Sequence, residues 1–152
     1  MKILFVCTGN TCRSPMAQGL AQKIASDRNM QIEALSAGLK AIPGSKVSDF
    51  SVGAMKEYNI DISSHIPTQL ELNLLDEADL VVTMTKAHKE IIIKSAPQFN
   101  DKVRSFSDFT FSGDIADPYG CDFNTYKKCS SQLNDAIVKL YERIEANEGY
   151  NI

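Results

Sequence analysis

Met1-Lys2-Ile3-Leu4-Phe5-Val6-Cys7-Thr8-Gly9-Asn10-Thr11-Cys12-Arg13-Ser14-Pro15 opens the chain, and the fold follows from it. Residues 2–6 are a short apolar run rich in strand formers, and a polar, glycine-containing loop follows. Ser14-Pro15 has the form of a helix start, with Ser14 as N-cap and Pro15 at the first helical position. Met16, Leu20 and Ile24, with Ala17, Ala21 and Ala25, continue an apolar stripe at helical spacing to about residue 27. Residues 31–36 alternate like a second strand that stops at Ala37-Gly38. Helices are expected over 48–58 and, briefly, after Pro67. DLVVTM (79–84) has the pattern of a buried strand, 85–94 of a helix and 103–106 of a weaker strand. Tyr126, Cys129, Leu133, Ile137, Leu140, Tyr141 and Ile144 recur at three- and four-residue steps and predict a last helix. Strands alternating with helices imply one α/β domain spanning residues 1–152: a three-layer sandwich, with a four-stranded parallel sheet and helices on both faces.

With 16 Lys and Arg against 19 Asp and Glu, the chain is slightly acidic and has no basic run. Neither a nucleic-acid partner nor a membrane surface is expected, and any bound anion must be held by a local pocket. The leading apolar stretch is too short for a signal peptide or a membrane span, so a cytoplasmic location is expected, where thiols stay reduced. Four cysteines, Cys7, Cys12, Cys121 and Cys129, are then reactive or buried rather than bridged. Their spacing and that of the two histidines do not make a zinc site, and neither metal nor organic cofactor is implied. A small domain of this kind is expected to be a monomer.

The loop carries the chemistry. Amides of a strand–loop–helix turn converge on one point, and the helix N-terminus adds positive potential, which together suit a phosphate. Cys7 stands at the strand's end, and Arg13 closes the loop six positions later with a guanidinium that can fork onto phosphate oxygens. The same donors favour a thiolate, since cysteines at helix N-termini or beside arginine ionise far more readily than free cysteine. Thiolate attack on phosphorus with the oxygens held by the loop and Arg13 is the chemistry these residues suggest.

Val6-Cys7-Thr8-Gly9-Asn10-Thr11-Cys12-Arg13-Ser14-Pro15-Met16-Ala17 resembles the N-terminal signature of the low-molecular-weight protein phosphatases. SAG at 36–38, EADLVVTM at 77–84 and the Asp117-Pro118 pair fall in that family's order and spacing. The resemblance implies Cys7 as nucleophile and Arg13 as phosphate clamp. It also implies that Asn10 and Ser14 brace the loop, that Thr8, Gly9, Thr11 and Cys12 complete the substrate cradle, and that Asp117 is the general acid. A residue before proline favours extended geometry, which suits a projecting carboxyl, and a bound phosphate favours its protonated form. Asp114 is the rival acid. In this family a second cysteine at the position of Cys12 can form a reversible disulfide with the nucleophile, so a redox pair of Cys7 and Cys12 is expected. Cys129 belongs to the helical stripe, Cys121 has no assigned part, and neither His65 nor His88 is given a catalytic one.

Members acting on phosphotyrosine carry a bulky aliphatic residue where this loop has Thr11, and a second aromatic where Gly120 follows Tyr119. Thr11 with Tyr119-Gly120 leaves one aromatic wall and a polar floor, which suits a guanidinium better than a phenyl ring. The combination resembles the bacterial protein-arginine phosphatase branch, with phosphorylated proteins as substrates. Phosphotyrosine hydrolysis is the alternative. An arsenate reductase of this fold would need two further redox cysteines after the third strand, and residues 82–94 hold none. A non-catalytic phosphoprotein-binding module would not require Cys7, Arg13 and Asp117 together.

Overall fold

The computed structural model describes residues 1–147. Strands β1 (Lys2–Cys7), β2 (Glu33–Gly38), β3 (Leu80–Thr83) and β4 (Val103–Ser105) form one parallel sheet in the order β2-β1-β3-β4. Helices α1 (Arg13–Asp27), α2 (Asp49–Lys56), α3 (Leu72–Glu77), α4 (Lys86–Ser95) and α5 (Phe123–Ala146) cover it.

Side chains alternate across a strand, and β1 shows the consequence. Ile3, Phe5 and Cys7 face a core built with α1, α2 and α5, where Met16, Leu20, Leu133 and Ile137 pack. Leu4 and Val6 face the opposite core, with Leu75 of α3 and Ile92 of α4. Both faces of the sheet are thus covered, as the near-continuous apolar strands require. No helix among the described residues is long and apolar enough to cross a membrane.

Successive strands are added on opposite sides of β1, so the winding reverses there. In such sheets the crevice at the strands' carboxyl ends, where the order switches, is the natural ligand site. The loop of residues 8–12 occupies that place.

Three expectations need correction. Ser14 does not cap α1: the helix already begins at Arg13, so Cys12 is the N-cap, without a side-chain capping hydrogen bond, and the Ser14 hydroxyl, one position further in, meets Cys7 and Asn10. Strand β2 continues through Ala37 and Gly38, which pair with Val6 and Cys7. The short helix expected after Pro67 is α3 but starts only at Leu72: Gly38 donates to Thr68 O and accepts from Leu70 N, both at 2.8 Å, so residues 68–70 first run extended beside β2.

Candidate active site

Cys7 ends β1, with its thiol on the α1 side of the sheet and almost wholly buried. Its Sγ accepts from the Asn10 backbone N–H at 3.3 Å and lies 2.8 Å from Ser14 Oγ. Two hydrogen-bonding groups therefore bear on the sulfur from the loop and the first turn of α1.

Asn10 determines how the loop folds. It is fully buried and has φ +56°, in the left-handed region that asparagine tolerates better than most residues. Its Oδ1 accepts from Thr68 N at 2.9 Å, which fixes the orientation of the amide. Nδ2 then donates to Ser14 Oγ at 2.7 Å and to Ser36 Oγ at 3.0 Å. Ser14 Oγ accepts that bond, and its own hydroxyl has Ala37 O at 3.4 Å and Cys7 Sγ at 2.8 Å as acceptors, the sulfur being the nearer one when it is ionised.

The two histidines, given no part by their sequence positions, brace this loop. His65 Nε2 lies 3.2 Å from Asn10 O and 3.0 Å from Asn10 Oδ1. Both are acceptors, so Nε2 carries the proton. His88 Nε2 lies 2.9 Å from Thr8 Oγ1, while Nδ1 is buried without a partner. Burial, helped by the Arg13 cation, lowers the His88 pKa to about 4; burial also lowers that of His65. Both imidazoles are neutral at pH 7. Their partners lie 55 and 80 residues away in the chain, beyond the reach of any local sequence signal.

Gly38, abreast of Cys7 in the ladder, is where the loop crosses β2. A Cβ there would stand 2.8 Å from both Asn10 N and Thr8 O. Only glycine allows this approach of two backbones.

Arg13, 4% exposed, donates through Nη1 to Ile115 O at 2.9 Å. Its Nη2 lies 3.6 Å from Asp117 Oδ2, and further N–H donors remain for an anion. Ile115, itself fully buried, donates to Met84 O at 2.9 Å, so the segment carrying Asp117 hangs from the end of β3. Asp117 Oδ1 accepts from Tyr119 N at 3.1 Å, and the carboxylate is half exposed at 53%. Asp114 is turned elsewhere: its Oδ1 accepts from Lys86 N at the start of α4, and it does not line the cavity.

That cavity, of about 730 Å³, brings together Cys7, Thr8, Gly9, Thr11, Cys12, Arg13, Asp117 and Tyr119. Asn10 and Ser14 support the floor from beneath. Cys12 and Cys121 also line the cavity, and all four cysteines are thiols. Cys129 packs in the core, where burial pushes its pKa up to about 12.

The expectation of a single aromatic wall is not met. Phe50 and Tyr126 line the cavity besides Tyr119, with their rings edge to face at 5.4 Å. Ser48 N donates to Thr11 O at 2.9 Å and draws the start of α2 over the loop, while Tyr126 reaches in from α5 and its hydroxyl lies 3.4 Å from Cys12 Sγ. Burial, and then the contact with Cys12, pushes the Tyr126 pKa up to about 12, so the hydroxyl stays protonated. Tyr126 is also a core residue, as its place on the helical stripe predicts, and it serves the core and the cavity together. Among the described residues no three His, Cys, Asp or Glu side chains cluster so as to hold a metal ion.

Residues 2–149 match the family model described as low molecular weight phosphotyrosine protein phosphatase. The chain is 36% identical over 147 residues to a protein-arginine-phosphatase of Bacillus subtilis, covering 95% of this chain and 97% of that one. It is 37% identical over 141 residues to the low molecular weight protein-tyrosine-phosphatase PtpB of Staphylococcus haemolyticus, covering 92% and 97%. Among solved structures it is similar to the C7S mutant of the arginine phosphatase YwlE with a phosphorylated active-site serine, at TM-score 0.90 and 35% identity, covering 95% and 96%.

Proposed function

The chain belongs to the low molecular weight phosphotyrosine protein phosphatase family, and on that premise we propose that it is a cysteine-dependent protein phosphatase that hydrolyses phosphoarginine through a phosphocysteine intermediate. The observation that carries the reading is the sulfur of Cys7, held between Asn10 N and Ser14 Oγ at the floor of a cavity that also presents Arg13 and Asp117.

In the first step the Cys7 thiolate attacks phosphorus, the P–N bond breaks, and Asp117 gives its proton to the departing guanidine nitrogen. Loop amides and Arg13 hold the phosphoryl oxygens as charge develops on them. In the second step water attacks the phosphocysteine, Asp117 takes its proton, and the S–P bond breaks to return the thiolate and release phosphate. A thiolate nucleophile needs a reducing compartment, which favours the cytoplasm. Cys12, in the same cavity as Cys7, is the partner for a protective disulfide on oxidation. The chain works as a single-domain monomer on phosphorylated proteins.

Arginine is preferred over tyrosine because Thr11 places a hydroxyl, and Gly120 leaves open space, where a phenyl slot would need apolar walls. The B. subtilis relative named an arginine phosphatase supports this choice. Phe50 and Tyr126 favour the second reading, tyrosine phosphatase activity, since they add aromatic surface, as does the likeness to PtpB. Rates on matched phosphoarginine and phosphotyrosine peptides decide between them. The parent protein should prefer phosphoarginine, and Thr11→Ile should shift the ratio toward phosphotyrosine by about tenfold. A parent preference for phosphotyrosine, or a ratio unmoved by Thr11→Ile, contradicts the arginine assignment.

A further inference from the structure

A second cavity, of about 560 Å³, lies between α4 and the segment that enters α3. Thr8 and Lys40 belong to its lining and to that of the catalytic cavity, so it begins at the residue next to Cys7. Most of its wall is aliphatic: Leu39, Leu70, Leu75 and Ile92 line it, with Lys40, Glu71 and Ser95 as further polar neighbours, and Leu72 and Ile91 have 60% and 51% of their surface exposed.

We propose that this groove is a substrate subsite that takes an apolar side chain flanking the phosphorylated residue of the protein substrate. The inference rests on the phosphatase reading above and adds to it a preference for sequence around the phosphorylated residue. Continuity identifies the occupant. Thr8 and Lys40 line both cavities, so a polypeptide that presents a residue to Cys7 and leaves over these two lays its neighbours into the groove. The chemistry of the occupant follows from the walls. Gln69, the amide side chain in the groove, is already satisfied: Nε2 donates to Leu39 O at 2.9 Å and to Leu70 O at 3.2 Å, and Oε1 accepts from Ala41 N at 2.9 Å. Gln69 has little left to offer a polar ligand; Glu71, Ser95 and the unpartnered His88 Nδ1 also belong to the lining, but the leucines and isoleucines make up more of it, and an aliphatic side chain would cover surface that is otherwise wet. His88 also lines the groove, and its Nε2 holds Thr8 Oγ1, so an occupant packs against the imidazole that secures the catalytic loop.

The test uses phosphoarginine peptides in which leucine or serine is placed at each flanking position in turn. Leucine at one or two positions should raise kcat/KM by about threefold to tenfold, the effect of burying part of one aliphatic side chain. Ile91→Asp and Leu72→Asp change exposed residues of the lining and should remove that gain through KM, with turnover of p-nitrophenyl phosphate unchanged. Phe111→Asp, at an exposed apolar residue that lines neither cavity, should leave the gain intact. A flat leucine profile, or a gain that survives both Ile91→Asp and Leu72→Asp, overturns the subsite. Turnover of p-nitrophenyl phosphate by the parent protein reports on the phosphatase reading independently, so failure of the groove and failure of the activity are distinguishable.

Discussion

Asn10 shows how one residue can set both the shape of a loop and the surroundings of its nucleophile. Its left-handed backbone turns an N–H toward Cys7, and its amide links Thr68, Ser14 and Ser36. Asp117 is the other residue whose setting bears on mechanism, because Tyr119 N and Arg13 approach its two oxygens separately. If Asp117 protonates the leaving group, Asp117→Asn should lower kcat on phosphoarginine by about 10²–10⁴-fold. The loss should be much smaller with p-nitrophenyl phosphate, whose leaving group departs without a proton. Asp114→Asn should do neither, since its carboxylate serves the start of α4. Equal losses on both substrates would remove Asp117 from the acid's role. The positions of Cys7 and Arg13 were legible because both lie on one short loop. The parts of His65 and His88 were not, because chain folding alone brings them to Asn10 and Thr8.

At the scale of elements, the loop after β1 depends on its neighbour β2. Gly38→Ala would put a methyl group 2.8 Å from Asn10 N and Thr8 O, and neither backbone atom can yield without moving the loop. We expect a stability loss of about 1–3 kcal/mol, as for overpacking. A fall in kcat/KM should accompany it and persist at temperatures where the variant is fully folded. Full activity in a folded Gly38→Ala protein would show that the loop's position is not set by this crossing. Helices α1 and α5 were legible from their apolar stripes and β1 and β3 from short apolar runs, whereas β2 was read from alternation and β4 carried a weaker signal. What escaped was set by pairing at a distance. Residues 68–70 are extended because Gly38 offers them hydrogen bonds, and Phe50 and Tyr126 meet over the cavity because α2 and α5 pack on the same face.

For the whole molecule, burying two imidazoles against the catalytic loop makes the fold sensitive to acid. The chain has two histidines, and both are held neutral against the loop. An unfolded histidine titrates at about 6.5, whereas burial, with the Arg13 cation, lowers the His88 pKa in the folded protein to about 4. Between those values the unfolded chain binds more protons, so stability must fall as pH falls from about 6.5 to about 4. Above that window the contribution of His88 is fully present. Urea midpoints measured across the window should decline on acidification, and His88→Gln should flatten the decline. Parallel curves for parent and variant would contradict this assignment. The α/β architecture and the sheet of four parallel strands were legible because strand and helix patterns alternate along the chain. The cavity's full lining was not, because it depends on how loops from separate elements meet above the sheet.

The most direct test of the account is to ask whether phosphorus becomes bonded to the sulfur of Cys7 during turnover. Rapid quenching of the protein with a phosphoarginine peptide, followed by peptide mapping by mass spectrometry, should find phosphocysteine at Cys7 in the parent and none there in Cys7→Ala, which should also be inactive. Turnover that proceeds with no phosphoryl group on Cys7, or that survives Cys7→Ala, would contradict it.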